Sequence, residues 1–292
     1  MNKKFFDIKN NLNVEFNYRY IQPPQIAYFV TTQDEFGNLN STPVTLGTCI
    51  SANMPREGKK AEFYMSFSLG KKVINDKGNQ SKPRDGYINL LNSSEVVISY
   101  IGKNLLKESI VANMPYPRGI SEVDVAGLHT FESKNISVPS ILECPINIEC
   151  KVINKFDLGE NYMHYIAEVV GISVDETLIE KDNNGLGVYH IDPLFEVNIT
   201  KTENKNIRLN YGYMDHSRIS VPGDDFGSEG DWVGTFEHFV QSEQNRGKIS
   251  EEELSEILEL KTKFKKDRSN KEVKKRLTDL LIKTIGDSNV AN

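Results

Sequence analysis

Two cations and an acid fall within four residues, Lys82, Arg84 and Asp85, in the stretch SKPRDGYINLL. The run that follows them reads as a short helix. A dianionic phosphate is held best where the free N–H groups at a helix start meet one or two fixed cations. Each residue has a part in that chemistry: Pro83 stiffens the approach, Arg84 offers a two-pronged fork, Asp85 can cap the helix, and Gly86 leaves the first-turn amides open to a close ligand. A solvated loop with an ordinary helix cap would use the same residue types, so the stretch alone leaves both open. Other chemistry-bearing patterns are missing. There is no phosphate-binding G-x-x-x-x-G-K-[ST], no H-E-x-x-H and no paired-cysteine zinc pattern. GLGVYH at Gly185 carries only half of a dinucleotide fingerprint and reads as a surface turn.

The elements that must position these residues are mostly strands. QIAYFVTTQDEFGNLNSTPVTLGTCIS reads as a strand, a turn carrying Gly37 and Asn38, and a second strand rich in Thr and Val. Further strand-like runs follow at KAEFYMSFSL, SEVVISYIG, INIECKVINKFDLG and NYMHYIAEVVGISVD. In INIECKV, alternation puts Ile146, Ile148, Cys150 and Val152 on one face and Asn147, Glu149 and Lys151 on the other. Long helices do not alternate with these strands, which disfavours a doubly wound parallel sheet and favours a barrel or sandwich. A short helix starts at Ser121, with Asp124 in the capping position, and stops near Gly127.

The texture changes in VPGDDFGSEGDWVGTFEHFVQSEQNRG, whose Gly and acids suggest a linker or wrapping segment. Two amphipathic helices then close the chain. The first opens on a capping box of Ser250 and Glu253 and lines up Leu254, Ile257, Leu258 and Phe264. The second opens on Ser269 and Glu272, lines up Val273, Leu277, Leu280, Leu281 and Ile285, and stops at Gly286. The expected organisation is a mainly β domain over 1–222 and a linker with a helical C-terminal extension over 223–292.

Over 292 residues the net charge is −6, which argues against a general nucleic-acid binder, since that needs a basic field. The first residues lack the continuous apolar run of a signal peptide, and no segment reaches the length of a membrane span. Cys49, Cys144 and Cys150 form no CxxC pair, which suits a reducing, cytoplasmic setting.

The order and separation of these segments, from about Pro23 to about Val174 and more weakly to Gly212, resembles the flavin reductase-like family with an FMN-binding split barrel. The landmarks are YFVTT, DEFGNLNSTP, TLGTCIS, RDGYINL, MPYPRGISEVDVAGL and VPSILECPINIECKV followed by YIAEVVGISVD. The resemblance implies a mainly β split barrel with short helices, a homodimer with FMN near the subunit interface, and NADH or NADPH as electron donor. It maps the isoalloxazine lining onto Thr45, Thr48, Cys49 and Ser51, and the phosphate turn onto Arg84 and Asp85. The family usually has threonine where this chain has Gly86, so Lys82 or a backbone amide would have to compensate.

The residue types agree with that mapping. A flat apolar ring with a polar edge wants a strand offering backbone groups and small hydroxyls, which Thr45, Thr48 and Ser51 supply. Cys49 reads more readily as a small buried hydrophobe. His190 and His216 are the candidates beside a nicotinamide, with Tyr211 and Tyr213 as stacking surface, although an edge strand and loop accounts for them equally. Because a flavin carries the hydride chemistry itself, few catalytic side chains are needed. The expected activity is NAD(P)H:flavin oxidoreduction; the alternatives are a flavoredoxin-like electron carrier meeting a redox protein, or a flavin-binding protein whose tail mediates assembly.

Overall fold

The computed structural model describes residues 25–53, 62–74, 80–182, 185–188, 191–201, 207–215, 218–220, 228–230, 236–245 and 247–286. Seven strands carry the fold: β1 (Tyr28–Gln33), β2 (Leu39–Val44), β3 (Gly47–Asn53), β4 (Glu62–Gly70), β5 (Glu95–Tyr100), β6 (Ile146–Asp157) and β7 (Tyr162–Val174). They form one antiparallel sheet in the order β2-β1-β5-β6-β7-β4-β3. The β1–β2 hairpin turns as expected, with Gly37 at φ 82° and the Asp34 carboxylate accepting the N–H groups of Phe36 and Asn38, each at 2.9 Å.

The stretch that reads as one second strand is in fact two. β2 and β3 follow each other in the chain but occupy opposite ends of the sheet. Only Thr45 and Leu46 connect them, a span of at most about 11 Å between Val44 and Gly47. The edges of a flat seven-stranded sheet would lie about 29 Å apart. The sheet must therefore curl until its two edges approach, which makes a barrel with an open seam. Inside it, Val30, Met65, Phe67, Ile98, Ile148, Cys150, Tyr165 and Ala167 form the core, with the Phe67 and Tyr165 rings stacked at 5.1 Å.

The alternation in INIECKV holds for the core face, since Ile146, Ile148 and Cys150 are buried. Asn147 and Glu149 on the other face are buried as well, because the segment 130–141 lies over them. Glu149 accepts the N–H groups of Lys134 and Asn135, and Asn147 accepts that of Ile141. A second sheet, built on Leu194–Lys201 and Ile207–Asp215, joins the barrel through Ala27 N–H to Leu194 O at 2.8 Å and Leu194 N–H to Ile101 O at 2.7 Å. Gly185–Val188, read as a surface turn, is instead a strand paired with Ile179–Asp182.

The helices are α1 (Asp85–Asn92), α2 (Leu106–Ala112), α3 (Glu122–Val125), α4 (Phe236–Asn245), α5 (Glu251–Lys266) and α6 (Lys271–Gly286). α3 starts at Ser121 as expected, its hydroxyl accepting the Asp124 N–H, and Gly127 follows it at φ 71°. α5 opens on the Ser250–Glu253 capping box. α6 does not open on Ser269. Asn270 accepts the Val273 N–H at 3.1 Å, while the Ser269 hydroxyl turns back to Asp267 at 2.7 Å. A helix was also missed: α4 lies in the stretch read as a linker. Phe236 and Val240 from α4, Ile257 and Phe264 from α5, and Leu277 and Leu281 from α6 share one core with Val111, Ile120 and Val125 beside the barrel. Among the described residues no helix is long and apolar enough to cross a membrane.

Candidate functional site

Arg84 is the N-cap of α1, in extended conformation, and makes no side-chain capping bond. Asp85 is therefore the first helical residue and not the cap. The Arg84 backbone is fixed on both sides, by its own N–H to Lys71 O at 3.0 Å and by the Ile88 N–H to its carbonyl at 3.1 Å. Its side chain folds back over Gly70, where a Cβ would lie 3.1 Å from Nε. Glycine at position 70 makes that path possible. The guanidinium is half-buried, and burial pulls its pKa below the ordinary value, opposed by the nearby Tyr162 and Glu122. Among the described residues it has no hydrogen-bond or ion-pair partner. A half-buried cation at a helix start, with no counter-ion among the described residues, has the charge and place that suit an anion.

The groups around it set the local charge. Arg118 donates to Asp85 Oδ1 at 3.3 Å and to Asn89 Oδ1 at 3.2 Å. Burial raises the Asp85 pKa, and Arg118 and the Gly119 N–H hold it back. Glu122 is buried behind them, accepting from Asn40 Nδ2 at 2.6 Å and from the Ser41 N–H at 3.0 Å. Burial, reinforced by the Asp85 charge, pushes its pKa up to about 8. With burial favouring the neutral form of Glu122 and Asp85 paired with Arg118, no described carboxylate forms an ion pair with Arg84.

That arrangement has a measurable signature. Glutamate in an unfolded chain releases its proton near about pH 4.3, whereas folded Glu122 keeps it up to about 8. Between these values the folded state binds more protons, so stability falls as pH rises, by up to about 1.4 kcal/mol per pH unit. Glu122→Gln removes this dependence. In urea titrations the wild type should lose stability relative to the variant from about pH 5 to about pH 8; parallel profiles would mean that the folded carboxyl is ionised throughout.

Gly86 does not hold the door open for a ligand. It is buried, and a Cβ there would meet Asn40 Oδ1 at 2.8 Å, so the space a threonine would need is already filled by the barrel. The departure from the family pattern is thus a packing demand made by Asn40. The Lys82 side chain, His190 and His216 lie outside the described residues.

The remaining predicted residues lie along the sheet edge. Thr48, Cys49 and Ser51 belong to β3, which is paired only with β4, so its other edge is unpaired among the described residues. Thr48 and Cys49 are exposed and Ser51 is half-buried. Cys49 is therefore not the buried hydrophobe its residue type suggests; an edge strand leaves it in the open. Thr45 sits between β2 and β3, and its hydroxyl donates to Glu196 Oε2 at 2.9 Å, which occupies it. Gly47 pairs with Phe67, three residues from the Gly70 that Arg84 packs on, so the start of β3 lies about 10 Å along the sheet from that end.

Sequence reasoning missed Arg118, Asn89, Asn40 and Glu122. Arg118 and Asn89 stand inside quoted landmarks, but nothing local marks them as partners of Asp85. Glu122 looks like an ordinary first-turn acid.

Comparisons with known proteins bear on this arrangement. An uncharacterised protein of Halalkalibacterium halodurans is 30% identical over 154 residues, covering 51% of this chain and 66% of that protein. One from Aquifex aeolicus is 26% identical over 102 residues, covering 35% of this chain and 51% of that protein. The matches thus span half to just under two thirds of these relatives' length. Among solved structures, nitrilotriacetate monooxygenase component B from Bacillus cereus superposes with a TM-score of 0.56 at 22% identity, covering 72% of this chain and 96% of that one. A Shewanella frigidimarina protein assigned as a flavin reductase with a split barrel domain gives 0.52 at 16%, covering 68% and 85%. An FMN-binding protein from Thermus thermophilus gives 0.51 at 15%, covering 73% and 97%. At these identities the structures establish the fold, a split barrel, to which this chain adds its C-terminal helices. Residues 24–192 match the Flavin reductase like domain, and the chain belongs to the flavin reductase-like family.

Proposed function

We propose that this protein is an FMN-dependent oxidoreductase that takes reducing equivalents from NADH or NADPH and passes them to free flavin or another acceptor, and that it works as a homodimer. The observation that carries the reading is the half-buried Arg84 guanidinium at the start of α1, which has no hydrogen-bond or ion-pair partner among the described residues. It fits a phosphate monoester, which brings about −1.5 to −2 charges and would restore the balance lost by burying the cation. The split-barrel neighbour from Thermus thermophilus that is an FMN-binding protein supports flavin as the owner of that phosphate.

When bound, FMN supplies the hydride acceptor. The chain's own residues then bind and orient. Arg84 and the first amides of α1 hold the phosphate, and Lys82 is assigned as a second cation for it. Asp85, tied to Arg118, fixes the turn without competing for Arg84. The free edge of β3 offers backbone donors and acceptors to the polar rim of a ring, and Thr48 and Ser51 add hydroxyls; Thr45 would act through the Glu196 contact that holds the link in place. Cys49 lines the same edge. His190 and His216 are assigned to the nicotinamide side. The flavin-binding unit is taken as 1–222 and the extension as 223–292.

The test is anaerobic mixing of the FMN-loaded protein with NADH and, separately, NADPH, followed at the flavin absorption band. Rapid bleaching by one of them is expected. Failure of both, with ready reduction by dithionite, would replace the reductase by an electron carrier of the flavoredoxin kind.

A further inference from the structure

The acids and bases near Arg84 extend beyond those already described. Asp34 and Glu35, in the β1–β2 turn, are two more carboxylates on the same side of the barrel. Asp34 is nearly inaccessible, with a side-chain exposure of 3%, and its charge raises the pKa of Asp85. A buried carboxylate needs a counter-ion, and loss of one partner is costly. The partner comes from the C-terminal extension. Arg268, in the turn between α5 and α6, places Nη1 3.7 Å from Asp34 Oδ2 and Nη2 3.2 Å from Glu35 Oε1, with its guanidinium 5.0 Å above the centre of the Phe36 ring. Lys274 adds a hydrogen bond to Asn38 Oδ1 at 2.7 Å, and Asn38 Nδ2 in turn donates to Asp34 at 3.1 Å.

Glu35 is shared. Its other oxygen stands 4.0 Å from Arg118 Nη2, and Arg118 is the group that holds Asp85. Arg118 thus lies between two sets of acids, and Arg268 decides how strongly the outer set draws on it. Without Arg268, Asp34 and Glu35 would pull Arg118 outward and Asp85 would lose its partner, one residue along the chain from Arg84.

We propose that Arg268 is a positioning residue for the anion site: by neutralising Asp34 and Glu35 it keeps Arg118 on Asp85 and leaves Arg84 free for phosphate, a role that rests on the phosphate reading of Arg84 given above. The residue lies beyond the segment that matches the family, so the helical extension supplies a part of the site that the barrel alone does not contain.

The experiment measures equilibrium binding of FMN and of riboflavin, by flavin fluorescence, to the full-length wild type, R84A, R268A and the double variant R268A/E35Q. R268A is expected to weaken FMN by about threefold to tenfold with riboflavin unchanged. E35Q in that background should recover FMN affinity, because one of the released acids no longer competes for Arg118; a purely structural role for Arg268 would give no such recovery. If R84A shows an FMN-specific loss but R268A does not, or R268A weakens both ligands alike, the positioning role is wrong. If R84A itself shows no FMN-specific loss, the phosphate reading fails and the role of Arg268 falls with it. Should R268A not fold, R268Q, which keeps most of the side chain but removes the charge, is expected to show the same FMN-specific loss, and wild-type affinity in R268Q would overturn the role.

Discussion

Replacing Arg84 with alanine is expected to weaken FMN by about tenfold to a hundredfold while leaving riboflavin where it was, because a charge-assisted hydrogen bond contributes about 1.5–3 kcal/mol. The size follows from the state of the guanidinium before the ligand arrives. Among the described residues Arg84 has no hydrogen-bond or ion-pair partner to give up, and burial has already stripped part of its water, so little of the interaction is spent on breaking other contacts. Its backbone is fixed by Lys71 and Ile88, so the fork is already aimed. The substitution removes a side chain that leaves the barrel core untouched, which makes an unchanged melting temperature the proper control. Equal losses for FMN and riboflavin would show that Arg84 supports the fold of the turn and does not contact phosphate.

Phe264→Ala should cost about 3–5 kcal/mol of folding stability, the usual range for a large buried aromatic cut to a methyl group. Phe264 is fully buried on α5, among Ile257, Leu277 and Leu281. It also presses on the barrel side: a Cβ at Gly119 would lie 3.2 Å from its ring. Gly119 has φ 86°, which few residues with a side chain adopt, and it carries no side chain that could fill the void. Urea unfolding followed by tryptophan fluorescence and by far-UV circular dichroism would measure the loss. Phe264→Leu, which keeps most of the volume, should retain most of the stability. An alanine variant that unfolds at the wild-type midpoint would mean that the extension is not anchored there.

The strands of the barrel were legible because each obeys a local rule. Alternation marks β6, the Asp34–Gly37 turn marks the hairpin, and Ser121 and Ser250 mark helix starts through their own hydroxyls. What failed depended on partners distant in the chain. The break between β2 and β3 has no turn residue at Thr45 or Leu46, since the chain does not reverse there but crosses the seam. α4 was hidden because acids and glycines surround it and its apolar residues, Phe236 and Val240, are buried in a core shared with α5, α6 and the segment near Ile120. In the site, Arg84 could be picked out as a cation before a helix. That it would stand unpaired among the described residues depends on Arg118 and Glu122, which share one later segment, and in our proposal on Arg268 in the extension, and no spacing rule connects these with Arg84.

The short link across the seam also governs how the chain can fold. Strands that follow one another in sequence usually pair first, because closing a short loop costs little entropy. Here Val44 and Gly47 are near neighbours in the chain, yet β2 and β3 form no ladder with each other, and the pairing that completes the sheet includes Val30 with Ile98 and Ile148 with Ile98. The hairpins β1–β2, β3–β4 and β6–β7 can form alone, but the barrel closes only when β5 is threaded between β1 and β6. Such dependence on pairings far apart in sequence belongs to slow folders, and until β5 arrives the flank of β1 remains an open edge able to recruit a strand from another chain.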